Sequence, residues 1–193
     1  MWTFRAITFA DSMLNGELLR HTQLITGSSG GMIGAGYLRE LYLRQQQRTD
    51  CNLYADSLLT HLGRDLLNPI IFTIATNDLF VRLQHFEDNG VSHTKDRGYT
   101  FETLLNQNTN GILDKRLGEY YEPETQALIP TMVFAPTLSN DGRRLLISSQ
   151  PISYLTSKTL VNGANGRPLP DGIEFRRFFN GLQPDSVQFT SVL

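Results

Sequence analysis

An α/β fold is predicted for this chain from two observations. The first 47 residues read helix, strand, sharp turn, helix, and a β-hairpin pattern with Asp-Gly at its turn lies near residue 141. The chain has 193 residues, 40% of them apolar and 19% charged, which suits one soluble globular domain with a sizeable core.

Each element has its own warrant. Residues 2–15 read as an amphipathic helix, with Ala6, Phe9, Ala10, Met13 and Leu14 at three- and four-residue spacing and Gly16 placed to end it. Residues 22–26 carry the apolar run Leu24-Ile25-Thr26 of a buried strand, and residues 27–31 form a glycine-serine turn. Residues 32–47 are helical again. Ile33, Tyr37, Leu38 and Leu41 mark the apolar side, and Arg39, Glu40, Arg44 and Gln45 to Gln47 the polar one. Gly34 and Gly36 are expected to let this helix approach the sheet closely.

Further on, residues 53–62 and 101–117 suggest helices, 68–80 mix helix and strand signals, and 88–97 read as a polar loop. Residues 131–149 are expected to form a hairpin, with β-rich arms around Asn140-Asp141-Gly142-Arg143. Residues 162–172 suggest a turn-rich surface loop, and 187–193 a strand-like run.

Composition excludes several functions. A net charge of −2 gives no electrostatic case for nucleic acid. The single cysteine, Cys51, excludes an internal disulfide, and the histidines and acids show no metal-ligand spacing. No run approaches the ~18 apolar residues of a membrane span, and the N-terminus lacks the pattern of a signal peptide. A cytoplasmic or membrane-associated chain is expected.

Gly27-Ser28-Ser29-Gly30-Gly31 matches G-x-S-x-G. Three fixed positions of common residues recur by chance in roughly a tenth of chains this long, so the context carries the signal. An apolar strand precedes the motif and an amphipathic helix follows it, as a nucleophile elbow requires. In that turn the serine backbone is strained and its Oγ exposed, and a side chain two residues to either side would collide with strand or helix backbone. The helix N-terminus then favours the oxyanion of acyl transfer. A Walker A loop is excluded because no lysine lies near the turn. The glycine spacing does not fit a dinucleotide fingerprint. A Ser-His-acid triad would place a histidine late in the chain, but His21, His61, His85 and His93 all lie in its first half. A Ser-Asp dyad stays open.

The run from Leu24 to Ala35 resembles the nucleophile elbow of patatin-like phospholipases, which show an apolar strand, G-x-S-G/A-G and a small-residue helix start after an amphipathic helix. Residues 134–151 are similar to the mid-domain hairpin of larger bacterial members. The resemblance is specific over residues 1–45 and looser over 130–180. It implies a three-layer α/β/α domain, incomplete at both ends. It also implies a Ser-Asp dyad with Ser29 as nucleophile, elbow and oxyanion roles for Gly27, Gly30 and Gly31, and hydrolysis of lipid acyl esters without a cofactor.

The family's aspartate sits in D-G-G or D-G-A. Asp141-Gly142-Arg143 and Asp171-Gly172-Ile173 share only the first two residues, and both aspartates also read as turn residues. The expectation is an internal piece of a longer hydrolase, with little turnover alone. One alternative is a catalytically silent lipid-binding or interaction domain. Another is an unrelated α/β protein whose serine is buried or lies off a strand-to-helix turn. Peripheral membrane contact through Tyr120-Tyr121 or Phe178-Phe179 competes with core packing of those rings.

Overall fold

Two stretches about a hundred residues apart in sequence pair to build the centre of the molecule. The computed structural model describes all residues except 48–50, 79–83, 89, 141, 157–159 and 163–167. In chain order the elements begin with α1 (Trp2–Met13), α2 (Glu17–His21), β1 (Leu24–Gly27), α3 (Gly30–Gln47) and α4 (Asp56–Leu62). Next come α5 (Leu67–Thr73) with a π-turn Ile74–Asp78, β2 (His85–Asp88), β3 (Val91–Thr94), α6 (Arg97–Asn108), and a 3-10 turn Leu117–Tyr120 leading into α7 (Tyr121–Thr125). The remainder is β4 (Thr131–Phe134), β5 (Arg144–Leu146), β6 (Leu160–Asn162), β7 (Pro168–Pro170), β8 (Gly172–Glu174), α8 (Phe175–Phe178) and α9 (Phe189–Val192).

β1 runs parallel to β4, with Leu24 opposite Thr131 and Gly27 opposite Phe134. β5 runs parallel to β8. Isolated antiparallel bridges Phe134–Ile147 and Thr137–Arg144 connect the two pairs. Mixed helix and strand with small parallel sheets is thus an α/β arrangement. The arms around residues 131–149 meet through reciprocal hydrogen bonds between Phe134 and Ile147, 2.9 and 3.0 Å long. Gly142 takes a positive φ of 74° in the turn.

α3 sits at the centre of the core, and its glycines explain how. A Cβ on Gly34 would lie 3.1 Å from the Phe4 backbone nitrogen, and one on Gly36 would lie 2.7 Å from Leu193 Cδ2 and 3.3 Å from the Phe189 ring. Two residues apart on a helix means nearly opposite faces. α1 therefore covers one side of α3 and the C-terminal turn the other. The glycines admit helices, not the sheet that the sequence suggested.

The inner face of α1 carries Phe4, Thr8 and Asp11, all buried. Asp11 accepts hydrogen bonds from the Leu19 amide and the Tyr54 hydroxyl, each 2.8 Å, which holds α2 against α1. α1 ends earlier than residue 15, because Asn15 and Gly16 turn left-handed at φ 54° and 86°. Its outer face leaves Trp2 86% exposed, with Phe9 and Met13 also in solvent.

Three expectations change. β2 and β3 pair antiparallel, so Val91–Thr94 form a strand within residues 88–97, where a polar loop was read; Phe86 stacks on cross-strand His93 at 5.4 Å and packs on Tyr99 at 4.5 Å. The following helix, α6, starts at Arg97, where Asp96 caps the amides of Gly98 and Tyr99. The strand-like run 187–193 holds the helical turn α9. Helical spacing turns Phe189 and Leu193 to one side, and Phe189 is buried against Tyr120 and Phe134 at 4.6 and 5.9 Å. Within 162–172, residues 168–170 pair with 160–162 as β7 and β6.

Candidate active site

The site starts from the end of β1. Pairing with β4 carries the strand to Gly27, whose carbonyl accepts the Ala135 amide at 3.1 Å. The chain must then reverse into α3 within two residues. It does so at Ser29, a non-glycine residue held at φ 60°, a conformation that costs L-residues about 1–3 kcal/mol. Ser28 and Ser29 are exposed, α3 begins at Gly30, and the Met32 amide donates to the Ser29 carbonyl at 2.9 Å.

The flanking glycines are tight for a different reason than expected. A Cβ on Gly27 would lie 3.1 Å from Met32 Sδ, and one on Gly31 would lie 3.4 Å from Thr3 Oγ1. These are contacts with side chains, not collisions with backbone. Gly30 has open space around it. Its amide is among the first of an 18-residue helix whose first turn carries no acid, so the positive end of that helix is uncompensated beside Ser29.

No described residue hydrogen-bonds the Ser29 hydroxyl. Asp171, one of the two acid candidates, precedes β8 and is ion-paired with Arg144, whose amide also donates to the Asp171 carbonyl at 3.0 Å. β8 pairs with β5 and not with the β1–β4 pair that ends at the elbow. Asp141, the other candidate, lies outside the described residues. His21 engages the carbonyl and carboxylate of Glu17, and His93 stacks on Phe86. Burial pushes the Cys51 thiol above its ordinary value, with Arg44 opposing.

The structure also assembles a polar cluster that the sequence assigned to a solvated helix face. Arg39 and Glu40 of α3 are 1% and 0% exposed. Arg39 pairs with Glu124 of α7, donates to the Pro130 carbonyl at 3.2 Å and lies 4.3 Å above the Tyr120 ring. Glu124 also accepts from the Ser149 hydroxyl. Glu40 takes Lys115 at 2.9 Å and Arg44 at 3.1 Å. Burial, and then the Glu40 charge, push the Tyr120 hydroxyl far above its ordinary value. Every carboxylate here has a cation, so the cluster is a strut between α3, α7 and β4, some way down the helix from Ser29.

No protein-family model, curated protein or solved structure matches this chain. Ser29 is therefore read on its own geometry. Of the aromatic pairs, Tyr120 is in the core, whereas Tyr121 and Phe178 are exposed. Among the described residues, no helix is long and apolar enough to cross a membrane.

Proposed function

We propose that this chain carries the nucleophile of a serine acyl hydrolase of the patatin-like kind, acting on lipid acyl esters, phospholipase A or esterase in type. The backbone of Ser29 carries the reading: an exposed serine at φ 60°, on a strand-to-helix turn, between Gly27 and the glycines that open α3. A glycine or asparagine serves a structural turn of that shape without strain. A serine there points to a use for the hydroxyl.

In this proposal Ser29 Oγ attacks the acyl carbonyl carbon while a carboxylate takes the hydroxyl proton. The developing oxyanion lies against the Gly30 amide and the N-terminus of α3. Collapse of the tetrahedral adduct expels the alcohol, which leaves with the proton, and water then hydrolyses the acyl-serine. Asp141 and Asp171 remain the candidates for the carboxylate. Asp171 would have to exchange Arg144 for Ser29. A three-layer α/β/α arrangement around β1 and β4, with peripheral contact to the lipid surface, belongs to the same reading.

A second reading, a silent relative that binds lipid or a partner, is favoured by one observation: no described base reaches Ser29. A fluorophosphonate probe separates the two, because it reacts with a serine whose proton can leave and whose oxyanion is stabilised. An adduct on Ser29 in the native chain and in Ser28→Ala, absent in Ser29→Ala, supports the hydrolase reading and places a working base in this chain, against the little turnover expected of it alone. A native chain that stays unlabelled, or labels equally at Ser28, overturns the hydrolase reading and leaves the silent one.

A further inference from the structure

The strand that leads to the elbow has an open edge. Among the described residues, β1 pairs with β4 alone. The Gln23 and Gly27 carbonyls accept the Thr131 and Ala135 amides at 3.0 and 3.1 Å. Bonding residues alternate along a ladder, so Ile25 bonds toward β4 with them, whereas Leu24 and Thr26 turn their N–H and C=O groups the other way. No described residue takes up those groups. Both residues are exposed, Leu24 at 55%.

The side chains mark this edge as one to be paired. Edge strands are commonly blunted by charges, proline or bulges, which stop another strand from adding. Several strands of this chain carry such residues: Glu87 and Asp88 on β2, Arg144 on β5, Pro168 and Pro170 on β7, Glu174 on β8. β1 reads Leu24-Ile25-Thr26-Gly27, with neither a charge nor a proline. Ile25 packs on the core, and Leu24, one residue before it, points to the opposite face and into solvent.

Open backbone groups decide what can cover the edge. A lipid surface has no donors and acceptors at strand spacing, and a helix has spent its own internally; an extended backbone offers both. A second β1 complements the first with nothing left over. Run antiparallel about a twofold axis at Ile25, Leu24 of each copy lies opposite Thr26 of the other, and each such pair exchanges both N–H···O bonds. Leu24 gains a cross-strand neighbour on its exposed face, and no like charges meet at the axis.

We propose that two copies of this chain associate through the β1 edge, antiparallel, joining their β1–β4 pairs into one sheet. Sedimentation velocity of the whole chain between ~1 and ~300 µM tests it. Monomer at the low end and dimer at the high end are expected, with Kd about 10–100 µM for so short an edge. Thr26→Pro removes an outward amide that β4 does not use and weakens association at least about tenfold. Leu24→Lys leaves the backbone intact, charges the edge, and weakens association about tenfold. Trp2→Ser, on the exposed face of α1, leaves it unchanged. In amide hydrogen exchange, Leu24 and Thr26 slow as concentration rises. A chain still monomeric at ~300 µM, a dimer that survives both edge variants, or exchange at Leu24 and Thr26 that ignores concentration overturns the edge pairing. So does a dimer lost in Trp2→Ser, which would move the contact to α1.

Discussion

The start and the middle of α3 solve opposite problems with the same helix. At its start, Ser29 is exposed, strained and without a described hydrogen-bond partner, and a side chain on Gly30 would meet open space. Farther along, Arg39 and Glu40 are fully buried, each with partners from distant parts of the chain. A charge in the interior is tolerable only when matched, whereas an unmatched hydroxyl at the surface costs little because water serves it. Strain at the start thus stands on a helix whose buried charges are paired farther along, as a preorganised site requires.

Breaking the paired middle has the largest expected effect. Arg39→Ala leaves Glu124 buried without its cation and lowers stability by about 3–5 kcal/mol in urea unfolding followed by far-ultraviolet circular dichroism. A loss below about 1 kcal/mol is what a solvated face gives, and it would collapse the contrast. Gly34→Ala comes next. The new methyl must push the Phe4 backbone away, so a net loss of about 1–2 kcal/mol is expected despite the better helix propensity of alanine. No loss would mean that α1 is not seated on α3 as described.

The exposed end responds in the opposite direction. Ser29→Gly removes the left-handed penalty and, after the extra chain entropy of glycine, raises stability by about 1 kcal/mol while abolishing fluorophosphonate labelling. A destabilised Ser29→Gly would show that the turn is not strained. Tyr120→Phe has the smallest effect. Its hydroxyl meets no partner within ordinary hydrogen-bond geometry, though Glu40 lies close enough to act on it, and the ring is kept beneath Arg39, so a change under about 1 kcal/mol is expected from the same unfolding measurement.

Legibility in the sequence followed locality. The elbow could be read because strand, turn and helix start lie within a dozen residues, each with its own pattern. Arg39 and Glu40 could not, because a charge at helical spacing is scored as a solvated face. The partner that permits burial, Glu124, lies 85 residues away from Arg39. The β2–β3 hairpin was missed because each strand has four residues and little apolar alternation. Its pairing rests on Phe86 meeting His93 and Tyr99. The run 187–193 looked like a strand from its β-branched residues, but burial of Phe189 against Tyr120 and Phe134 outweighs that local preference. The second carboxylate of the proposed dyad gave only turn motifs, and Asp171 is found serving Arg144.

The outward face of α1 has a spectroscopic consequence. Trp2 is the only tryptophan in the chain and is already 86% in water. Its emission therefore starts close to that of the unfolded chain, so fluorescence is nearly blind to unfolding. The same indole is a sentinel: a shift of its emission to the blue reports that something has come to rest on the first helix, whatever the rest of the molecule is doing.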